Sequence, residues 1–228
     1  MPSLENLNPE FDVDAVLRGQ GADPAALRAR RPALVQLAEQ ALQEGRPLIE
    51  PCVIYKEFTV QAVRHERLIF EDGGQLTGKL IAQHLAQARK VYVLLCTINT
   101  AIEQYASEKW GSSATYSLAL DGVGSAAVEA LANQACRSLE IMEQEHGWQT
   151  TIPFSPGMID WSVEEGQPQI FHLLEGEKVP VELSPSYIMI PRKSLTMVIG
   201  AGPDLSDSGR TCDYCNLRDV CRYQDHYA

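Results

Sequence analysis

The segment LDGVGSAAVEALANQACRSLEIM, residues 120–142, is the most regular in the chain, and it dictates what must pack beside it. Val128, Leu131, Ala132, Ala135, Leu139 and Met142 recur at the three-and-four spacing that gathers side chains onto one face of a helix. A helix with one apolar stripe needs a surface to bury that stripe against. KVYVLLCTI, at 90–98, is apolar without alternation, as expected of a strand covered on both faces. Residues 99–148 read as helical, with a break at Gly111. Gly122 and Gly124 precede the stripe and let the backbone approach something closely. Glu129, Asn133 and Cys136 fall on another side of the helix, as a row that faces either solvent or a site.

The remaining elements do not alternate in a βαβ rhythm. Residues 11–45 read as helices, with Asp23-Pro24 and Arg31-Pro32 as start signals and Gly45 as a stop. PCVIYKEFTVQAV (51–63) is strand-like, and Asp72-Gly73-Gly74 marks a hairpin turn. A helix over 78–89 carries His84 among apolar neighbours, which suits a structural histidine better than a ligand. TIPFSPGMIDWS (151–162) is too rich in proline, glycine and aromatics for helix or strand, and such loops often carry function. A helix QIFHLLE (169–175) follows, then strand-like runs VELSPSYIMI and SLTMVIGAG. The class is α+β, as a domain over 1–202 with a linker and cysteine-rich tail over 203–228.

The tail, CDYCNLRDVCRYQDHYA, holds Cys212, Cys215 and Cys221 in a C-x2-C-x5-C array, which is half of the six cysteines. Two thiolates three residues apart can grip one centre from a single turn, and the spacing suits an iron–sulfur cluster or a zinc ion. Three cysteines leave one ligand to be found. For a 4Fe–4S cluster, the reading favoured here, it comes from Cys52, taken as the leading candidate, or from Cys96 or Cys136; for zinc, His226 lies within the tail itself. A centre shared between two chains also fits, so the oligomeric state stays open. The array is similar to the cluster-closing segment of certain iron–sulfur nucleases, over ten residues only.

A formal charge of −11 argues against a nucleic-acid partner, because no basic stripe is present to neutralise phosphates. No apolar run reaches the roughly 18 residues of a membrane span. Nothing resembles a secretory signal, so the expected location is the cytoplasm, where thiols stay reduced. No G-x-S-x-G, H-E-x-x-H or Walker loop is found, and acid–base or nucleophilic catalysis has little support.

Four segments in order resemble the activation (reactivation) domain of cobalamin-dependent methionine synthase, and its stand-alone bacterial relatives in particular: LLCTIN, LDGVGSAAVEALANQ, FSPGMIDWS and ELSPSYIMIPRKSLTMVIGAG. The N-terminal pattern VLRGQG…PLIEPCVIYKEFTV is similar as well. The resemblance implies a curved antiparallel sheet flanked by helices. It also implies S-adenosylmethionine and cobalamin as ligands of a groove, and a corrinoid protein or cobalamin-dependent methyltransferase as partner. In that family an outside donor reduces cob(II)alamin and the adenosylmethionine methyl group traps the product. Carried over, Ser155, Pro156 and Gly157 stand where the family has its A-P-G loop, and Glu129 matches an acidic helix residue that accepts from the ligand's amino group. Three positions depart. Pro153 replaces an arginine, Met158 a tyrosine and Met197 a glycine. Loss of the arginine removes a carboxylate contact worth about 1.5–3 kcal/mol. A chain that carries its own redox centre would serve as a reductive activator or electron-delivery subunit. The alternatives are a zinc-stabilised docking module and an S-adenosylmethionine-dependent remethylating domain.

Overall fold

A computed structural model describes residues 4, 7–205 and 209–221. Its centre is β4 (Lys90–Thr97), paired antiparallel with β1 (Cys52–Arg64) on one side and β8 (Ser194–Gly202) on the other. With β2 (Arg67–Phe70), β3 (Gln75–Thr77) and β5 (Gln149–Thr150), the sheet runs in the order β3-β2-β1-β4-β8-β5. A register shift between Val60 and Ala62 bulges β1 where it leaves β4 for β2, and bulges of this kind bend the bulged strand. The class is α+β, with a curved antiparallel sheet flanked by helices, as expected.

The unbroken apolarity of β4 has the cause inferred for it. Every residue after Lys90 is buried, and alternation sends Tyr92, Leu94 and Cys96 into one core and Val91, Val93 and Leu95 into another. The first core lies under α1 (Val13–Gly19), α3 (Pro32–Gly45), α5 (Ala101–Trp110) and α6 (Ala114–Gln144), with α2 (Pro24–Arg30) packed on α3. The second lies under α4 (Lys79–His84), α7 (Val163–Leu173) and the β2–β3 hairpin. At 31 residues α6 is about 45 Å long. Its stripe from Val128 to Leu139 is buried, while Met142 is partly so.

Two sequence-based expectations change, and the close approach expected at Gly122 and Gly124 is found. The last helix starts at Val163, not Gln169: Ser162 caps it by accepting from the Glu165 backbone N–H, and Pro168 is accommodated inside it. VELSPSYIMI is not one strand but a small hairpin, β6 (Glu182–Leu183) against β7 (Met189–Ile190). Gly122 and Gly124 serve packing. A Cβ on Gly122 would lie 2.7 Å from the Val16 carbonyl oxygen of α1, and one on Gly124 would meet the alkyl chain of Lys193 at 3.1 Å. Lys193 is anchored there by Asp121 at 2.8 Å and the Ser125 hydroxyl at 2.9 Å.

Candidate functional site

The proline- and glycine-rich loop after β5 is held by its own atoms. Phe154 bridges to Val198 of β8 through reciprocal backbone bonds of 2.9 and 2.8 Å. The chain then turns back on itself: the Gly157 N–H donates to the Trp161 carbonyl at 2.8 Å, and the Ser155 N–H points at the Met158 thioether at 3.4 Å. Gly157 sits at φ +100°, where L side chains are strained, and Asp160 at φ +61° is tied to Lys79 at 3.2 Å. Trp161 closes the turn, fully buried. Gly78 and Gly166 make room for its ring, since a Cβ on either would lie within 2.8 Å of it.

The cysteine tail docks on this loop. Residues Thr211–Tyr214 form a 3-10 turn, and Tyr214 inserts its ring edge-on against His84 (centroids 4.7 Å apart) and Phe154 (5.7 Å). His84 is thus structural: it rests between two aromatic rings, and burial lowers its pKa. The backbone follows the ring. Ile159 N–H donates to the Tyr214 carbonyl at 2.9 Å, Met158 bridges to Cys215, and the Asn216 amide donates to the Gly157 carbonyl at 3.1 Å.

The cysteines occupy different surroundings. Cys212, Cys215 and Cys221 are partly exposed, and the Leu217 N–H donates to the Cys215 sulfur at 3.4 Å. Cys96 is wholly buried, and desolvation raises its pKa well above the usual thiol range. Cys136 lies 3.6 Å from the Met197 sulfur, with its pKa also raised by burial. Cys52 opens β1 opposite Thr97, which pairs with Ser194; Val198, where the loop bridges, is about 13 Å further along β8. Cys136 and Thr211 line one cleft of about 290 Å³, so the upstream thiol with a cleft in common with the tail is Cys136. His226 lies outside the described residues. The donor chemistry of the tail suits a thiolate-bound centre. Among the described residues, however, no three Cys, His, Asp or Glu side chains are gathered closely enough to hold a metal ion.

The α6 row faces clefts. Glu129 and Asn133 line an open cleft of about 940 Å³, between the helix and the segment from Asn8 to Arg18, with Gln134 and Arg137 beside them. Burial pushes the Glu129 carboxyl up to about 7. The loop residues Gly157 and Met158 border a separate cleft of about 540 Å³, together with Asn216 of the tail. Glu129 and the loop residues Gly157 and Met158, joined in the sequence reading, therefore line different clefts. Pro153 lies between them, in the cleft that also holds Asn133 and Cys136. The contact of Tyr214 with His84 and Phe154 was missed in the sequence; the one signal for it was an aromatic inside the cysteine array.

Comparison with solved structures finds a crystal structure of the MetH reactivation domain bound to AdoHcy, with a TM-score of 0.66 over 96% of this chain and 83% of that one. The chain has the fold of the MetH reactivation domain. Sequence identity is 14%, so the likeness is one of fold. No family model matches the chain, and no curated protein matches it. That likeness over 96% of the chain agrees with the resemblance carried by the four ordered segments. Among the described residues no helix is long and apolar enough to cross a membrane.

Proposed function

We propose that this chain acts on a corrinoid protein or cobalamin-dependent methyltransferase as a reductive activator, with the cysteine tail as its redox element. The observation that carries this reading is the docking of the Cys215 turn on the Ser155–Trp161 loop, in a chain with the MetH reactivation fold. Residues 1–202 are the activation-like domain, and 203–228 the linker and metal-binding appendage. Cys212, Cys215 and Cys221 hold the centre. An iron–sulfur cluster held there would supply one-electron chemistry, and the Leu217 N–H bond to the Cys215 sulfur would be among those that tune its potential. The role that follows would be the reduction of cob(II)alamin to cob(I)alamin, with an external low-potential donor supplying the electron.

Anaerobic purification, an absorption spectrum and iron, sulfide and zinc analysis test the reading. The expected result is a brown protein that retains about four irons per chain, the content of the [4Fe–4S] type, and bleaches on reduction. Cys215→Ser should lose the colour. A colourless protein with one tightly held zinc would replace electron delivery with a zinc-stabilised docking role.

A second reading has an observation of its own. The similar MetH reactivation domain was crystallised with AdoHcy, and the cleft at Glu129 offers a carboxylate to a ligand's amino group. S-adenosylmethionine-dependent remethylation follows from that. Calorimetric titration with S-adenosylmethionine checks it, and no heat at millimolar ligand rules it out.

A further inference from the structure

Strand β1 outruns its partner on one side. It has 13 residues and pairs with β4 from Cys52 to Thr59, but β2 joins it only from Val60 onward. The Val60 N–H donates to the Arg89 carbonyl at 2.9 Å. By the two-residue alternation of an antiparallel ladder, Cys52, Ile54, Lys56 and Phe58 then bond to β4. Val53, Tyr55 and Glu57 aim their N–H and C=O groups the other way, out of the sheet. The Thr59 carbonyl, on that same outer side, accepts from the Glu71 N–H at 3.1 Å; among the described residues no backbone group meets the three before it. From Val53 to Glu57 this leaves about 14 Å of open edge.

Proteins ordinarily blunt such an edge with a lysine, a proline, a bulge or a cover. Here the charged side chains are engaged elsewhere. Lys56 donates to the Leu173 carbonyl at 3.2 Å and Glu57 pairs with Lys90 at 3.1 Å. The bulge lies beyond the open stretch, between Val60 and Ala62. Tyr55 stands 41% exposed in the middle of it. Both ends are acidic: Glu50 is exposed before the stretch, and Glu71 and Asp72 are exposed just past β2.

We infer that the outer edge of β1 docks an extended segment of a partner protein, basic at both ends, which adds to the sheet as a further strand. Backbone hydrogen bonds to Val53, Tyr55 and Glu57 hold the segment, and the acidic residues at the two ends select lysine or arginine. A second copy of this chain fits less well. Antiparallel self-pairing centred on Tyr55 sets the two Lys56 side chains at diagonal positions, and each copy carries a net charge of −11. The site uses neither the cysteine tail nor the clefts.

The test titrates the full chain with the end-blocked peptide KVTVTVK and follows amide hydrogen exchange residue by residue. Saturable protection of about tenfold or more is expected at Val53, Tyr55 and Glu57. Ile54 and Lys56, already bonded to β4, should not change. The same peptide N-methylated at alternate residues, which removes its donors, should fail to bind. EVTVTVE should bind about tenfold more weakly, a gap of about 1.4 kcal/mol, and Glu71→Lys should narrow that gap. No protection at about 1 mM peptide overturns the inference, as does binding that protects other residues and spares these three. Binding that survives N-methylation overturns strand addition, and equal binding of the two peptides overturns the basic partner. If the free chain forms a concentration-dependent dimer in sedimentation that already protects Val53, Tyr55 and Glu57, the occupant is a second copy and the proposal fails.

Discussion

Glu129 is a carboxylate placed where ionisation is costly. Burial moves its pKa from an ordinary 4.5 to about 7. Between those values the unfolded chain has released the proton and the folded chain still holds it, so stability falls as pH rises through that window. Glu129→Gln removes the titration and keeps the shape. The variant should match the parent near pH 4 and exceed it at pH 8 by roughly 1–3 kcal/mol, because each tenfold weakening of an acid on folding is worth about 1.4 kcal/mol. Urea midpoints at the two pH values measure this; an equal difference at both would mean that burial of the charge is not the cause. The same property suits a ligand site, since a cation entering the cleft favours the ionised form.

At the level of the element, α6 determines how the other helices sit. Its early turns touch α1 so closely that Gly122 faces a backbone oxygen, which cannot rotate away as a side chain would. Gly122→Ala should therefore cost about 2 kcal/mol through overpacking, seen as a fall in Tm of about 4–8 °C for a chain of this size. Both α6 and β4 were legible in the sequence because burial alone sets their patterns, helical spacing in one and unbroken apolarity in the other. Helix α7 was misread at its start: Pro168 looks like a breaker, and only Ser162 and the acidic pair behind it mark the true beginning. The β6–β7 hairpin was hidden by its brevity, two residues a side. The α6 row was legible as a row from its spacing, which left solvent and a site both open; its residues line clefts. The joining of tail to loop was not, because Tyr214, His84 and Phe154 meet across long stretches of chain and no local period encodes such a contact.

Across the whole molecule, two hydrophobic cores share one strand. Leu94 belongs to the core under α6 and Leu95 to the core under α7, each fully buried. Neither core can open without exposing one face of β4, so unfolding should be a single transition. Leu94→Ala and Leu95→Ala are each expected to cost about 2–5 kcal/mol and to shift the same calorimetric peak, with van't Hoff and calorimetric enthalpies equal. Two peaks, each sensitive to one variant, would show that the cores are independent.

The strands at the margins of the sheet are its shortest: β3 has three residues and β5 has two. A free strand margin is a template on which another polypeptide can extend the ladder, and its reach scales with the length of backbone on offer. β3 and β5 themselves offer little, and the net charge of −11 adds mutual repulsion between copies. Extension of the ladder from those two short strands is thereby disfavoured.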